Sequence, residues 1–253
     1  GYGHIGSQVG VLAEAMGMRV FYYDTNAKLA LGNATPMRSL HALLQVSDVV
    51  TLHVPGGAET EQMIGPAEFA QMRQGTALIN ASRGTVIDID ALVVALDEGQ
   101  LRGAALDVFP TEPKSNVEPF ESPLRRFDNV ILTPHVGGST EEAQESIGIE
   151  VAEKLVRFQR NGSTVSAVNF PEVMLPKHRG TYRLLHIHRN QPGVLARINQ
   201  VFSSSGINIS GEYLQTDDHL GYVVVDFDIS EGFDRSKLDE LKNIDGTLRA
   251  RIL

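Results

Sequence analysis

The sequence predicts an α/β protein in two parts: a doubly wound parallel sheet that lacks its first strand, followed by a compact βαββαβ module. Three observations predict it. Strand-length apolar runs alternate with helical-period segments through the first half, and a glycine-rich turn stands at the front of that series. The pattern then changes after a proline-punctuated stretch that begins near residue 170.

The elements follow in order. After Gly1, Gly3 and Gly6, apolar residues recur at helical spacing (Val9, Leu12, Ala13, Met16), and Gly17 stops the helix. Residues 19–24 read as a strand. Leu40, Leu43 and Leu44 mark a short helix, residues 48–53 a buried strand, Phe69 and Met72 another helix, and residues 76–81 the next strand. Residues 88–98 have helical spacing, and residues 103–108 and 129–133 return as strands. Such alternation implies a parallel sheet covered on both faces, with ligands beyond the carboxyl ends of its strands. A glycine turn of this kind normally follows a buried strand, and here Gly1 is the first residue. The chain therefore reads as part of a longer polypeptide, cut inside a domain.

Ser139, Thr140, Glu141 and Glu142 have capping-box spacing and open a long helix with Ile147, Val151, Leu155 and Phe158 on one stripe. Gly162 closes it, and residues 170–176 read as a linker. A strand over 182–188 comes next, then a helix entry over 190–193, with Pro192 at or near the first helical position, and a helix that carries Val194, Leu195, Ile198, Val201 and Phe202. Strands at 207–215 and 221–229 flank a polar turn, and a helix with Leu238 and Leu241 precedes a strand over 247–253. This βαββαβ order is a ferredoxin-like module. The expected boundaries are 1–138 for the first domain, 139–175 for a return helix and linker, and 176–253 for the second domain.

Composition excludes whole classes of function. A net charge of -9 argues against nucleic acid, whose phosphates need a basic surface, and against docking on anionic lipid. The absence of cysteine removes disulfides, thiolate metal sites and a cysteine nucleophile together, and no metal is expected. The apolar runs, such as residues 221–225, are too short to span a bilayer, and no signal-peptide pattern opens the chain. The expectation is a cytoplasmic protein with neither a membrane nor a nucleic-acid partner.

The candidate chemistry lies at strand ends. Gly1 permits a tight turn, Gly3 lets the backbone approach a pyrophosphate, and Gly6 lets helix and strand pack closely. The following helix N-terminus offers free N–H groups to the phosphates. Asp24 stands near the ~20-residue offset of a ribose-binding acid, which favours NAD over its 2′-phosphorylated form. Arg83 follows one strand and can grip a carboxylate with two parallel hydrogen bonds. Asp107 ends the next strand, and Glu112 follows in a loop stiffened by two prolines. His135 comes off the last strand, with Gly137 and Gly138 leaving room beside its ring. Individually these are ordinary strand-end residues, but a shared rim makes a set. Imidazole takes and returns a hydroxyl proton near neutrality, a carboxylate orients it, and arginine holds the substrate.

Four motifs in this order resemble the D-isomer-specific 2-hydroxyacid dehydrogenase family: Gly-Tyr-Gly-His-Ile-Gly (1–6), Asn-Ala-Ser-Arg-Gly-Thr (80–85), Asp-Val-Phe-Pro-Thr-Glu-Pro (107–113) and Leu-Thr-Pro-His-Val-Gly-Gly-Ser-Thr (132–140). The resemblance covers essentially the whole chain. It implies a Rossmann-like NAD domain in which Arg83 binds substrate, His135 is the acid/base and Glu112 orients it. It also implies cofactor contacts from Gly1, Gly3, His4, Ile5, Gly6, Asp24, Ala81, Ser82, Arg83, Asp107, His135, Val136, Gly137 and Gly138.

The implied reaction is NAD-dependent oxidation of 3-phosphoglycerate to 3-phosphohydroxypyruvate, the first step of L-serine biosynthesis. The alternatives are another D-2-hydroxy acid or a non-catalytic amino-acid sensor. The second module resembles an ACT domain, which pairs with a second copy across a sheet edge. The resemblance implies L-serine as effector at His188, Asn190 and Asn208, and tetramers. In the family an N-terminal part carries most of the substrate domain, so this length of chain by itself is expected to be impaired.

Overall fold

The computed structural model describes residues 1–115, 117–176, 182–228 and 235–253. The chain divides into two compact units, Gly1–Ala143 and Gln144–Leu253.

In the first unit, helix α1 (His4–Ala15) follows the glycine turn. Strand β1 (Phe21–Tyr22) pairs in parallel with β2 (Thr35–Pro36), which the sequence pattern did not indicate. The strand expected over 19–24 is thus only two residues long. Tyr2 stacks on Tyr22 with ring centroids 3.8 Å apart, and this pair with Ala34 makes a small core of its own.

The main sheet is parallel, with the order β3 (Val49–Leu52), β4 (Thr76–Asn80), β5 (Leu101–Leu106) and β6 (Val130–Leu132). Helix α2 (Leu40–Leu44) leads into β3, and α3 (Pro66–Gln71) and α4 (Ile89–Asp97) connect β3 to β4 and β4 to β5. Local signals set these helices: Ser39 Oγ accepts from Ala42 N, Pro66 begins α3, and Asp88 accepts from Ala91 N. Val50, Leu52, Leu78, Ala104 and Leu106 point to one face and form the core with Leu44, Phe69 and Leu92. The opposite face, with Val49, Ile79 and Ile131, is partly exposed, whereas the apolar runs predicted cover on both sides. Period-2 burial therefore decides which face carries the core.

Helix α5 (Glu141–Asn161) begins in the first unit and continues in the second. Its cap is Thr140, whose Oγ1 accepts from Ala143 N, while Ser139 Oγ donates to His135 O. The expected Ser139 cap is corrected accordingly: that hydroxyl is engaged with the loop before it. Ile147, Val151 and Leu155 are exposed, and of the predicted stripe Phe158 packs into a cluster of the second unit.

The second unit has the predicted βαββαβ order: β7 (Tyr182–Arg189), α6 (Val194–Ser204), β8 (Ile209–Thr216), β9 (Leu220–Phe227), α7 (Arg235–Lys242) and β10 (Thr247–Ile252). The antiparallel sheet runs β10-β7-β9-β8, so β8 and β10 are its edges. Residues 177–181, at the front of the expected 176–253 domain, and residue 229 lie outside the described residues. Pro192 stands two residues before α6, near its first helical position. Gly193 takes the N-cap position at φ +88°, a left-handed conformation that glycine adopts without strain. One sheet face packs Leu184, Val223, Val225 and Phe227 against Ile198, Phe202 and Leu241. On the other face Leu185, Tyr222 and Val224 meet Phe158, Phe170, Val173 and Leu175. The linker read over 170–176 is thus a packed strap on the sheet.

Candidate active site

The glycine turn is shaped by backbone contacts. A Cβ on Gly1 would lie 2.2 Å from His53 O, and one on Gly6 would lie 2.2 Å from Gly1 O. No other residue fits there. A Cβ on Gly3 would meet nothing within 4 Å, so this glycine faces open space. Gly3 is the N-cap of α1 and no side chain caps that helix, so the first-turn N–H groups of His4 and Ile5 remain for an external anion. Both residues are exposed. The turn therefore fits a pyrophosphate.

Asp24 Oδ2 accepts from Tyr2 N at 2.7 Å and Oδ1 from Asn26 N at 2.9 Å. Partial burial pushes this carboxyl up, but the two N–H donors and the Lys28 charge bring it below the usual range. It stays an anion beside the glycine turn.

The second strand end is built around Asn80. Its Oδ1 accepts from Ser82 N (3.0 Å) and Ser82 Oγ (2.8 Å), and its Nδ2 donates to Arg83 O (2.9 Å). Ala81 and Arg83 are exposed on this turn, and Ser82 is buried. Arg83 folds back to donate to Ser82 O at 2.6 Å. A Cβ on Gly84 would lie 1.9 Å from the carbonyl carbon of Phe109, so the turn after Arg83 sits directly on the next strand's loop.

That loop carries the pair. Glu112 Oε1 accepts from Phe109 N at 3.0 Å, and Oε2 lies 2.8 Å from His135 Nδ1. A carboxylate can only accept, so Nδ1 bears the proton in the neutral ring and Nε2 is its basic nitrogen. Burial raises the Glu112 carboxyl, but the hydrogen bonds from His135 and Phe109 and the His135 charge hold it below its usual range against Asp107.

Asp107 does the same for the backbone. Its Oδ1 accepts from Thr133 Oγ1 (2.6 Å) and Val136 N (2.9 Å), and Oδ2 from Gly137 N (3.1 Å). Burial pushes this carboxyl up, and those three donors with the His135 charge bring it below the usual range. The clamp has a purpose in conformation. His135 has φ +53°, a left-handed backbone that a non-glycine residue holds only when its surroundings impose it. Gly138 follows on the same loop, and a pocket of ≈ 710 Å³ opens beside it, lined by Phe109, Glu112, Phe120, Leu132 and His135 among others.

These predicted residues meet through a continuous chain of contacts: the Arg83 turn on Phe109, Phe109 on Glu112, and Glu112 on His135. Asn80 and Thr133 were not singled out by the sequence reading. The available signal was a polar residue closing an apolar strand, where a buried amide or hydroxyl must find partners.

In the second unit, His188 is buried and its ring lies over Gly221, where a Cβ would meet His188 Nε2 at 2.2 Å. Burial lowers its basicity. Asn190 is exposed and its Nδ2 donates to Asp217 O at 2.7 Å, at the end of β7. Asn208 is exposed just before β8. The register pairs Ile209 with Phe227 and Arg189 with Leu220, at opposite ends of β9. The ends of the sheet at which Asn190 and Asn208 stand are therefore more than about 23 Å apart at ~3.3 Å per residue. One copy does not bring the three residues together.

Comparison with known proteins agrees with both units. Residues 1–137 match the family described as D-isomer specific 2-hydroxyacid dehydrogenase, NAD binding domain, and residues 184–249 match the AHAS small subunit-like ACT domain. D-3-phosphoglycerate dehydrogenase of Haemophilus influenzae is 59% identical over all 253 residues, which cover 61% of that protein. The Escherichia coli K12 protein of the same name is 57% identical, with 62% covered. The chain thus spans about three fifths of the length of these curated relatives. Among solved structures, an NAD-complexed D-isomer specific 2-hydroxyacid dehydrogenase from Lactobacillus delbrueckii ssp. bulgaricus matches with TM-score 0.58 and 30% identity, over 67% of this chain and 54% of that one. D-lactate dehydrogenase of Aquifex aeolicus, complexed with NAD and lactic acid, matches with TM-score 0.55 and 35% identity, over 64% and 52%. More than half of the chain matches the family itself, in its parallel-sheet unit, from the glycine turn through the His135 loop. The chain belongs to the D-isomer specific 2-hydroxyacid dehydrogenases.

Proposed function

We propose that the chain carries the NAD and catalytic groups for oxidation of 3-phosphoglycerate to 3-phosphohydroxypyruvate. The observation that carries the reading is the Glu112–His135 pair, held at 2.8 Å on a loop clamped by Asp107 and linked through Phe109 to the Arg83 turn. The substrate's identity is supported by similarity over all 253 residues of this chain, through the ACT unit, to proteins named for it. Another D-2-hydroxy acid would use the same groups.

NAD, with its pyrophosphate at Gly1, Gly3, His4, Ile5 and Gly6 and its ribose at Asp24, supplies the hydride acceptor when bound. Ala81, Ser82, Asp107, Val136, Gly137 and Gly138 line its side of the rim. Arg83 grips the substrate carboxylate through its planar fork, which fixes the carbinol carbon. His135 Nε2 takes the hydroxyl proton as the hydride leaves carbon, so one proton and one hydride account for the oxidation. Glu112 stabilises the imidazolium that results. In the reverse direction His135 returns the proton, and Arg83 polarises the carbonyl oxygen.

The ACT-like unit is read as the L-serine sensor, with His188, Asn190 and Asn208 as its contacts. It works as a pair of copies. Antiparallel pairing of β8 with a second β8 sets the Asn208 end of one strand beside the Thr216 end of the other, near Asn190. The domain division at 138 and 175, with α5 as return helix, belongs to the same reading.

NADH formation from 3-phosphoglycerate by the full-length polypeptide tests the chemistry. His135→Ala should lower kcat at least a hundredfold, and a rate within a few-fold of wild type would remove the acid/base role. Serine titration tests the sensor, because Asn208→Ala should abolish the response. Unchanged binding would sink it.

A further inference from the structure

We propose that Asn80 is a positioning residue for the substrate carboxylate: its amide fixes the backbone that presents Arg83, and its main chain ties that turn to the His135 loop. The proposal rests on the reading of Arg83 as the carboxylate grip.

Asn80 is the last residue of β4 and is 0% exposed. A buried amide that found no partners would be strongly unfavourable there, so its contacts show what it is for. Both ends of the side chain turn onto the next three residues. Oδ1 accepts twice from Ser82 and Nδ2 donates to the carbonyl of Arg83, closing the turn on either side of the Ser82–Arg83 peptide. Arg83 leaves this turn extended (φ -142°, ψ 138°) and enters a short 3-10 turn (Gly84–Val86) pinned on Phe109. The Arg83 side chain thus starts from a backbone fixed at both ends, with its guanidinium resting on Ser82 O.

The main chain of Asn80 adds the second tie. Its carbonyl accepts from Asp107 N at 2.9 Å, and the Asp107 carboxylate holds the loop that carries His135. A leucine would fill the same volume but would close no turn. An aspartate would keep the acceptor to Ser82 and set an oxygen against the Arg83 carbonyl, unless it were protonated. A carboxylic acid donates where the amide did, which makes the substitution sensitive to pH.

The test uses Asn80→Asp in the full-length enzyme. KM for 3-phosphoglycerate should rise at least tenfold while the NADH dissociation constant stays within threefold. The KM defect should shrink as the pH falls and the new carboxyl takes up its proton. Asn80→Ser, neutral and smaller, should raise KM at least tenfold without the recovery at low pH; it also releases Ser82, so the NADH dissociation constant should rise there by less than KM does, and it carries the test alone if Asn80→Asp does not fold. A KM within twofold of wild type in a folded variant, or a loss shared equally by substrate and cofactor, would overturn the proposal. Arg83→Lys run alongside separates the two readings. A normal KM there removes the carboxylate grip itself, whereas a raised KM there with a normal one in the Asn80 variants removes only the role of Asn80.

Discussion

Arg183→Met in the second unit should be strongly destabilising, although Arg183 is remote in sequence from every predicted site residue of the first unit. Its side chain is 1% exposed. Nε and Nη2 meet the two oxygens of Asp226 at 2.5 and 2.6 Å, and Nη1 donates to Asn161 O at 2.8 Å, at the end of α5. Methionine keeps most of the apolar stem and loses every one of these bonds. The Asp226 carboxylate, 13% exposed, is then left with little water and no cation. Breaking a buried pair from one side costs roughly 3–5 kcal/mol, and the partial exposure of Asp226 places this case near the lower end, at about 3 kcal/mol. For a unit of this size that corresponds to a fall in Tm of roughly 12–20 °C. Thermal unfolding followed by circular dichroism measures it, and faster hydrogen exchange in β7 and β9 locates it. Adding Asp226→Leu should recover at least ~1 kcal/mol, because the stranded charge is what makes the single change severe. A single variant that loses less than ~1 kcal/mol, or a double variant no better than the single, would refute the reasoning.

Stability of the second unit should fall with acid. Burial lowers the His186 pKa to about 4 despite its hydrogen bond to Leu241, so the unfolded chain takes up a proton near pH 6.5 that the folded one refuses. The stabilisation is complete above pH 6.5 and is lost between pH 6.5 and 4, by on the order of 3 kcal/mol, and urea titrations across that range should show a flatter acid limb in His186→Leu. Gly84→Ala should abolish activity and lower Tm, because its methyl would lie 1.9 Å from the backbone of Phe109 and neither strand end can give way. A fully active Gly84→Ala enzyme would mean that the Arg83 turn is not seated on Phe109.

What the sequence made legible follows periodicity. The βαββαβ order, the helices with Leu44, Phe69 and Leu92, and the four parallel strands were readable because buried apolar residues recur at fixed spacing. The strand over 19–24 was overextended because Val20, Phe21, Tyr22 and Tyr23 look continuous. The structure uses Tyr22 for stacking on Tyr2 and leaves only two residues in a ladder. The cap of α5 was displaced by one residue because Ser139 and Thr140 offer the same hydroxyl chemistry. Only the His135 carbonyl, brought back by the loop, decides that Ser139 is already engaged. Packing of 170–176 onto the sheet was unreadable for a similar reason: prolines announce irregular backbone, and irregular backbone can still be buried when its polar groups find partners, as Ser163 does with Val173 and Leu175.

The site divides along the same line. Arg83, Glu112 and His135 were nominated as a set, because each alone is an ordinary strand-end residue and only the rim they share singles them out. The groups that make them a site were less visible, since they act through the backbone. Asp107 was nominated for the cofactor, yet both its oxygens are turned to Thr133, Val136 and Gly137, where they stabilise the left-handed His135. A carboxylate so engaged still presents a negative rim to a cofactor, and the two roles are compatible. The order of causes matters more: without the clamp a left-handed His135 would relax toward the common backbone regions, and Nδ1 would leave Glu112. The ACT-like unit repeats the lesson at a larger scale. Asn190 and Asn208 are eighteen positions apart in sequence, and the register sends them to opposite ends of one sheet. Short sequence separation suggests a single small site, but strand length forbids one within a copy. If these residues share an effector, the effector is held between two copies, and its binding is then linked to pairing by mass action.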